Sequence, residues 1–164
     1  MRTIMTSLAL VTMLAIGAPR AHADAAADGR AVSDAFAKAV AAGDLQAVMA
    51  LYRDDATVIW PGQGEEARGK AAIEPLAKNL IASAKQGPVV LKSQESTPLG
   101  DNYIVNVGRW EQTLPGPGGK KITVVIRTSE VLAKTDGKWL YLVDHASVGA
   151  PPPPAAHGRR GKRR

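Results

Sequence analysis

Asp144 and His145 stand side by side in a run of β-branched and aromatic residues near the end of the chain. A carboxylate and an imidazole are the two side chains best suited to moving protons near neutral pH. Neighbours on a strand, however, face opposite sides of a sheet, so both can line one pocket only across a bulge. In an apolar setting the pKa of Asp144 would rise, the direction a general acid needs. The competing reading is a buried aspartate held by structural hydrogen bonds. Around this pair the chain offers Phe36, Tyr52, Trp60, Trp110 and Tyr141, aromatic groups able to wall a pocket, while Trp139 and Tyr141 also read as packing residues. The stretch DDATVIWPGQGEEARGKAAI, residues 54–73, has the look of a strand, a pocket-mouth loop and a helix start, but Trp60 at its centre neither takes nor gives a proton.

Other chemistries find little support. Gly62-Gln63-Gly64-Glu65-Glu66-Ala67 has the letters of a dinucleotide-binding fingerprint, yet it would set two glutamates against a pyrophosphate. The glycines at 116, 118 and 119 lie between two strand-like runs and lack the lysine-hydroxyl ending of a phosphate loop. Beyond residue 23 the only histidines are His145 and His157, and there is no cysteine, so neither a metal site nor a serine triad is expected, and no cofactor.

The elements that would position these residues are readable from periodicity. Val32, Phe36, Ala39 and Val40 recur at helical spacing between Arg30 and Ala42, and Gly43 stops that helix. Asp44 caps a second helix in which Leu45, Val48, Met49 and Tyr52 share a face, ending near Arg53. Ala56–Trp60 reads as a short strand closed by Pro61-Gly62. Ile73, Leu76, Ala77, Leu80, Ile81 and Ala84 form the apolar stripe of a third helix, with Glu74 and Lys78 paired outside and Pro75 kinking it or fixing its start. Val89–Thr97, Asn102–Leu114, Ile122–Lys134 and Trp139–Val148 then read as long strands joined by short turns, an antiparallel meander. Three helices followed by a curved antiparallel sheet make an α+β fold, and a sheet wrapped around helices leaves a cone whose open end is a pocket.

The ends differ from the middle. Met1-Arg2, an apolar run from Ile4 to Ala18 and Ala21-His22-Ala23 read as a cleaved export signal over residues 1–23, cut between Ala23 and Asp24. That places the protein in the periplasm or outside the cell. Residues 24–29 read as a flexible lead-in, 30–149 as one domain, and 150–164 as a proline-rich and then basic tail. The formal charge of +6 is uneven: of 21 basic residues two lie in the leader and five in the last six positions, leaving 14 against 15 acidic groups. The domain therefore gives no argument for nucleic acid. The tail is either a solvated extension or an electrostatic contact with an anionic envelope surface, at about 1 kcal/mol per basic residue near that surface.

The run AGDLQAVMALYRDDATVIWPGQGEEARGKAAI, residues 42–73, and the ending DGKWLYLVDHASVG, residues 136–149, resemble the NTF2-like superfamily, in particular SnoaL-like and DUF4440 domains. The resemblance covers most of residues 30–149 and implies a conical α+β barrel, often paired into homodimers through its sheet. The steroid Δ-isomerases of this superfamily carry an aspartate base after the first strand, with a tyrosine and a protonated aspartic acid as oxyanion donors. Transferred by position, the base falls on Trp60, the tyrosine on Phe36 and the acid on or near Ser129. None supplies the group required, so standard isomerase chemistry is not expected. SnoaL-type polyketide cyclases place an acid/base aspartate late in the domain, where Asp144 corresponds loosely. The expectation is an exported domain whose cone binds a small apolar molecule, with Phe36, Tyr52, Trp60, Trp110, Asp144 and His145 as candidate pocket residues. The alternatives are an acid/base enzyme using Asp144, and a structural dimer module without ligand.

Overall fold

The computed structural model describes residues 18–61 and 66–149. Most of the expected leader, residues 62–65 and the tail lie outside the described residues. Helix α1 spans Ala18–Ala42, α2 Leu45–Ala50 and α3 Lys70–Ala84; the strands are β1 Tyr52–Ile59, β2 Ala67–Arg68, β3 Val89–Leu99, β4 Tyr103–Pro115, β5 Lys121–Thr135 and β6 Lys138–Val148. Three helices lie against one six-stranded sheet in the order β2-β1-β6-β5-β4-β3. The order leaves two free edges, so the sheet is open rather than a closed barrel.

Strands β3 to β6 pair antiparallel in sequence, as their short connections require. The β5–β6 turn carries Asp136 and Gly137 at φ 50° and 76°, the left-handed pair that matches the twist of a two-residue hairpin. The expected all-antiparallel sheet needs one correction: β1 joins β6 in parallel, making the sheet mixed. Nothing local signals this. The rest of the domain separates the two strands in sequence, and packing alone brings them together.

Two boundaries also move. Tyr52 starts β1 instead of ending α2, because it pairs with Tyr141 and the Leu51 carbonyl accepts from the Tyr141 amide at 2.8 Å. Residues 24–29 are helical, with Ala25 buried and the Asp28 carboxylate accepting from Trp139 Nε1 at 2.8 Å, so α1 runs through the expected lead-in and across the Ala23–Asp24 bond. Pro75 sits inside α3 and leaves the Ala71 carbonyl without its usual donor.

Along β4 and β5 alternate residues turn inward, as the period of a strand demands: Ile104, Asn106, Trp110 and Gln112 on one, Thr128, Glu130 and Leu132 on the other. In β6 the alternation is broken once. Leu132 pairs with Tyr141 but Val131 pairs with Val143, so Leu142 is an extra residue taken up in a bulge. The core closes where α3 (Ile73, Ala77) and α2 (Val48, Met49) meet Val58 and Tyr52 of β1. Val48, Val58, Ile73 and Leu132 are fully buried, each stabilising the fold by about 1.5–3 kcal/mol.

Candidate functional site: a carboxyl pair under an aromatic cone

At one end of the concave face the helices stand away from the sheet and leave a cavity of about 290 Å³. Phe36 of α1, Leu76 and Leu80 of α3, Trp110 of β4, Ile126 of β5 and Trp60 just beyond β1 supply its apolar lining. Phe36 is central, meeting Trp60, Trp110 and Tyr141 edge-to-face with ring centroids 6.0–6.2 Å apart. Four of the chain's seven aromatic side chains line this one space.

Two carboxyl groups enter the same lining. Glu130 of β5 and Asp144 of β6 are directly paired across the two strands on the inward face, 3% and 5% exposed. Asp144 Oδ2 accepts from Tyr52 Oη at 2.7 Å and from Trp60 Nε1 at 3.0 Å. Glu130 Oε2 accepts from Asn106 Nδ2 at 3.3 Å. Asn106 is itself oriented by a partly buried row of polar groups. Ser33 Oγ donates to Gln94 Oε1 (2.7 Å), Gln94 Nε2 to Ser96 Oγ (3.0 Å), and Ser96 Oγ to Asn106 Oδ1 (2.8 Å). With its carbonyl occupied, the Asn106 amide presents its N–H group to Glu130. Gly29 allows α1 to lie on this row, since a Cβ there would come within 2.5 Å of Asn106 Oδ1 and 2.6 Å of Ser96 Oγ.

Burial pushes the Glu130 carboxyl up to about 7, and the neighbouring Asp144 charge adds to the rise. Burial also raises Asp144, while the Tyr52 and Trp60 donors pull against it. Asp144 has the stronger donor set, with two donors on one oxygen, so its charged form is the better supported of the two, and the pair shares a raised affinity for a proton. Tyr52 and Tyr141, stacked at 5.0 Å, are held protonated well above the ordinary phenol range, first by burial. Thr128 Oγ1 is near enough to favour the charged form of Glu130 but reaches hydrogen-bonding geometry with no partner among the described residues.

Of the residues singled out in the sequence, Phe36, Trp60, Trp110 and Asp144 come together in this lining. Tyr52 does not form its wall: it lies beneath it, fully buried, as the donor to Asp144. His145 is exposed and pairs with Ser129 on the outer face, so it does not line the cavity. Ser129, on or near which the resemblance set a carboxylic acid, faces outward, and the inward carboxyl is that of the next residue, Glu130. The signal for it was present: Glu130 shares the inward phase of Ile126, Thr128 and Leu132. Among the described residues no group of three His, Asp or Glu side chains converges as a metal site.

The SnoaL-like domain family matches residues 30–151, and the chain belongs to that family within the NTF2-like superfamily. Among solved structures it is similar to a protein from Xanthomonas campestris provisionally assigned as a calcium/calmodulin-dependent protein kinase II association domain, at 25% identity and a TM-score of 0.67, over 91% of this chain and 100% of that one. A ketosteroid isomerase-like protein from Erwinia carotovora atroseptica matches at 22% identity and TM-score 0.62, covering 76% and 96%. A protein from Streptomyces avermitilis, provisionally assigned as a dehydratase of the NTF2-like family, matches at 15% and 0.67, covering 79% and 99%. At such identities these last two show the fold alone. No curated protein sequence matches the chain.

Proposed function

We propose that this is an exported SnoaL-like domain whose cone binds a small, largely apolar molecule bearing one polar group. The observation that carries the reading is an apolar, aromatic-lined cavity with a buried carboxyl pair in its lining. At about 290 Å³ the space lies at the lower end of the range for ligand pockets, so the molecule is small. The unpartnered Thr128 hydroxyl supports a polar function on that ligand. Export rests on the leader-like residues 1–23, with the cut between Ala23 and Asp24. The outer face of the sheet, where Leu99, Tyr103 and Val107 are exposed, supports a homodimer through the sheet.

Native mass spectrometry of the protein purified from periplasm tests the reading. A retained small-molecule mass is expected, together with a doubled protein mass for the dimer. Replacing Trp60 with Ala should then weaken retention at least ten-fold, and unchanged retention would remove Trp60 from the site.

A second reading, acid/base catalysis, is favoured by the Glu130–Asp144 pair itself, two carboxyl groups raised by burial and held by unequal donor sets in the same lining. In that case Asp144→Asn abolishes turnover of the retained molecule while circular dichroism stays that of the folded protein. Full turnover by that variant would exclude Asp144 as the base.

A further inference from the structure

The lining of the cavity is electrostatically one-sided. Among the described residues it contains two carboxyl groups and no lysine, arginine or histidine. The seven ion pairs of the described residues all lie elsewhere, on the surface. The hydrogen bonds at the pair are also one-sided: Tyr52 and Trp60 both use Asp144 Oδ2, and Asn106 uses Glu130 Oε2. Asp144 Oδ1 and Glu130 Oε1 accept no hydrogen bond among the described residues. Two acceptor oxygens are thus left over beneath a set of aromatic rings. An anion would be repelled here, and a neutral molecule would leave the buried charge without a counter-charge inside the cavity. A cation satisfies both halves of the site, since carboxylates attract it and the faces of Trp, Tyr and Phe attract it as well.

We propose that the ligand is a small organic cation, an alkyl- or arylalkylammonium ion whose charged nitrogen sits at the free oxygens of Asp144 and Glu130 and whose carbon groups lie against Trp60, Trp110 and Phe36. This deepens the small-molecule reading above and rests on it. The cation takes the place of the proton held by the pair, so its binding releases that proton and tightens as pH rises. The groups facing the pair are few. Tyr52 of β1 and Tyr141 of β6 stay protonated, and α1 and α3 present Ser33, Phe36, Leu76, Asn79, Leu80 and Ser83, none of which titrates. His145 lies on the opposite face of β6, where its charge favours the ionised form of Asp144. With Glu130 titrating at about 7, the change falls between pH 6 and pH 8.

The test is calorimetric titration of the full chain with choline and with its uncharged isostere 3,3-dimethylbutan-1-ol. The expected result is at least ten-fold tighter binding of choline at pH 8, falling about ten-fold at pH 6, where heats measured in two buffers report release of a proton. Glu130→Gln, checked for folding by circular dichroism, should abolish the pH dependence. Equal or tighter binding of the alcohol overturns the cation and leaves the pocket reading standing. Binding of neither probe overturns both. Choline affinity that does not change with pH overturns the exchange of cation for proton.

Discussion

Glu111 and Glu130 sit on neighbouring strands of one sheet and live in opposite settings. Glu111 faces outward, where Arg109 Nη2 approaches it at 2.7 Å and Lys92 Nζ at 3.8 Å. Glu130 faces inward, with an amide, a hydroxyl and another acid around it and no cation among the described residues. The outer acid has its counter-charges and its water, and a pair of that kind contributes about 0–1 kcal/mol. The inner acid has neither, and holding its charge works against the fold. The contrast separates charge that keeps a surface soluble from charge maintained at a cost, and the second kind marks a site.

The sharpest way to break this contrast is to titrate stability. A carboxyl whose folded pKa is raised from 4.5 to about 7 binds its proton more tightly in the folded state, so stability is highest below about 4.5 and is lost as pH rises to about 7. The expected loss from this group is on the order of 3 kcal/mol. Urea unfolding at pH 4.5 and 7.5 measures it, and Glu130→Gln should flatten the slope. A wild-type protein equally stable at both values would show that the inner acid is not desolvated. A smaller effect separates two single-atom or isosteric changes. Tyr52→Phe removes one of the two donors to buried Asp144 and should cost about 1–3 kcal/mol. Glu111→Gln, on the outer face, should cost less than about 1 kcal/mol. Equal costs would erase the distinction between the two faces.

Much of this architecture is legible in the chain. The four long strands fall within one or two residues of the runs of β-branched residues, since period and turn residues are local signals. The third helix and its Glu74–Lys78 pair, 2.6 Å apart, are legible for the same reason. What was not legible depended on contacts distant in sequence. Tyr52 keeps helical phase with Leu45, Val48 and Met49, but its backbone is claimed by Tyr141, 89 positions away. Asp144 and Trp60 were both visible as candidates, whereas the hydrogen bond joining them required the parallel pairing of β1 with β6. Glu130 was missed by a single position, because transfer from relatives gave a neighbourhood and only the strand's alternation gives a facing.

The bulge at Leu142 carries a consequence for comparing members of this family. Counted as a regular strand from Tyr141, the chain would turn Val143 and His145 inward and send Asp144 to solvent. The same eleven letters of β6 would then floor the cone with an imidazole in place of a carboxylate. Absorbing one residue therefore decides, without any substitution, whether Glu130 faces a second carboxyl group or an imidazole. Two relatives with identical residues in aligned columns can hold differently charged pockets if one carries the extra residue and the other irons it out, so facing, rather than column, is the unit in which their sites should be matched.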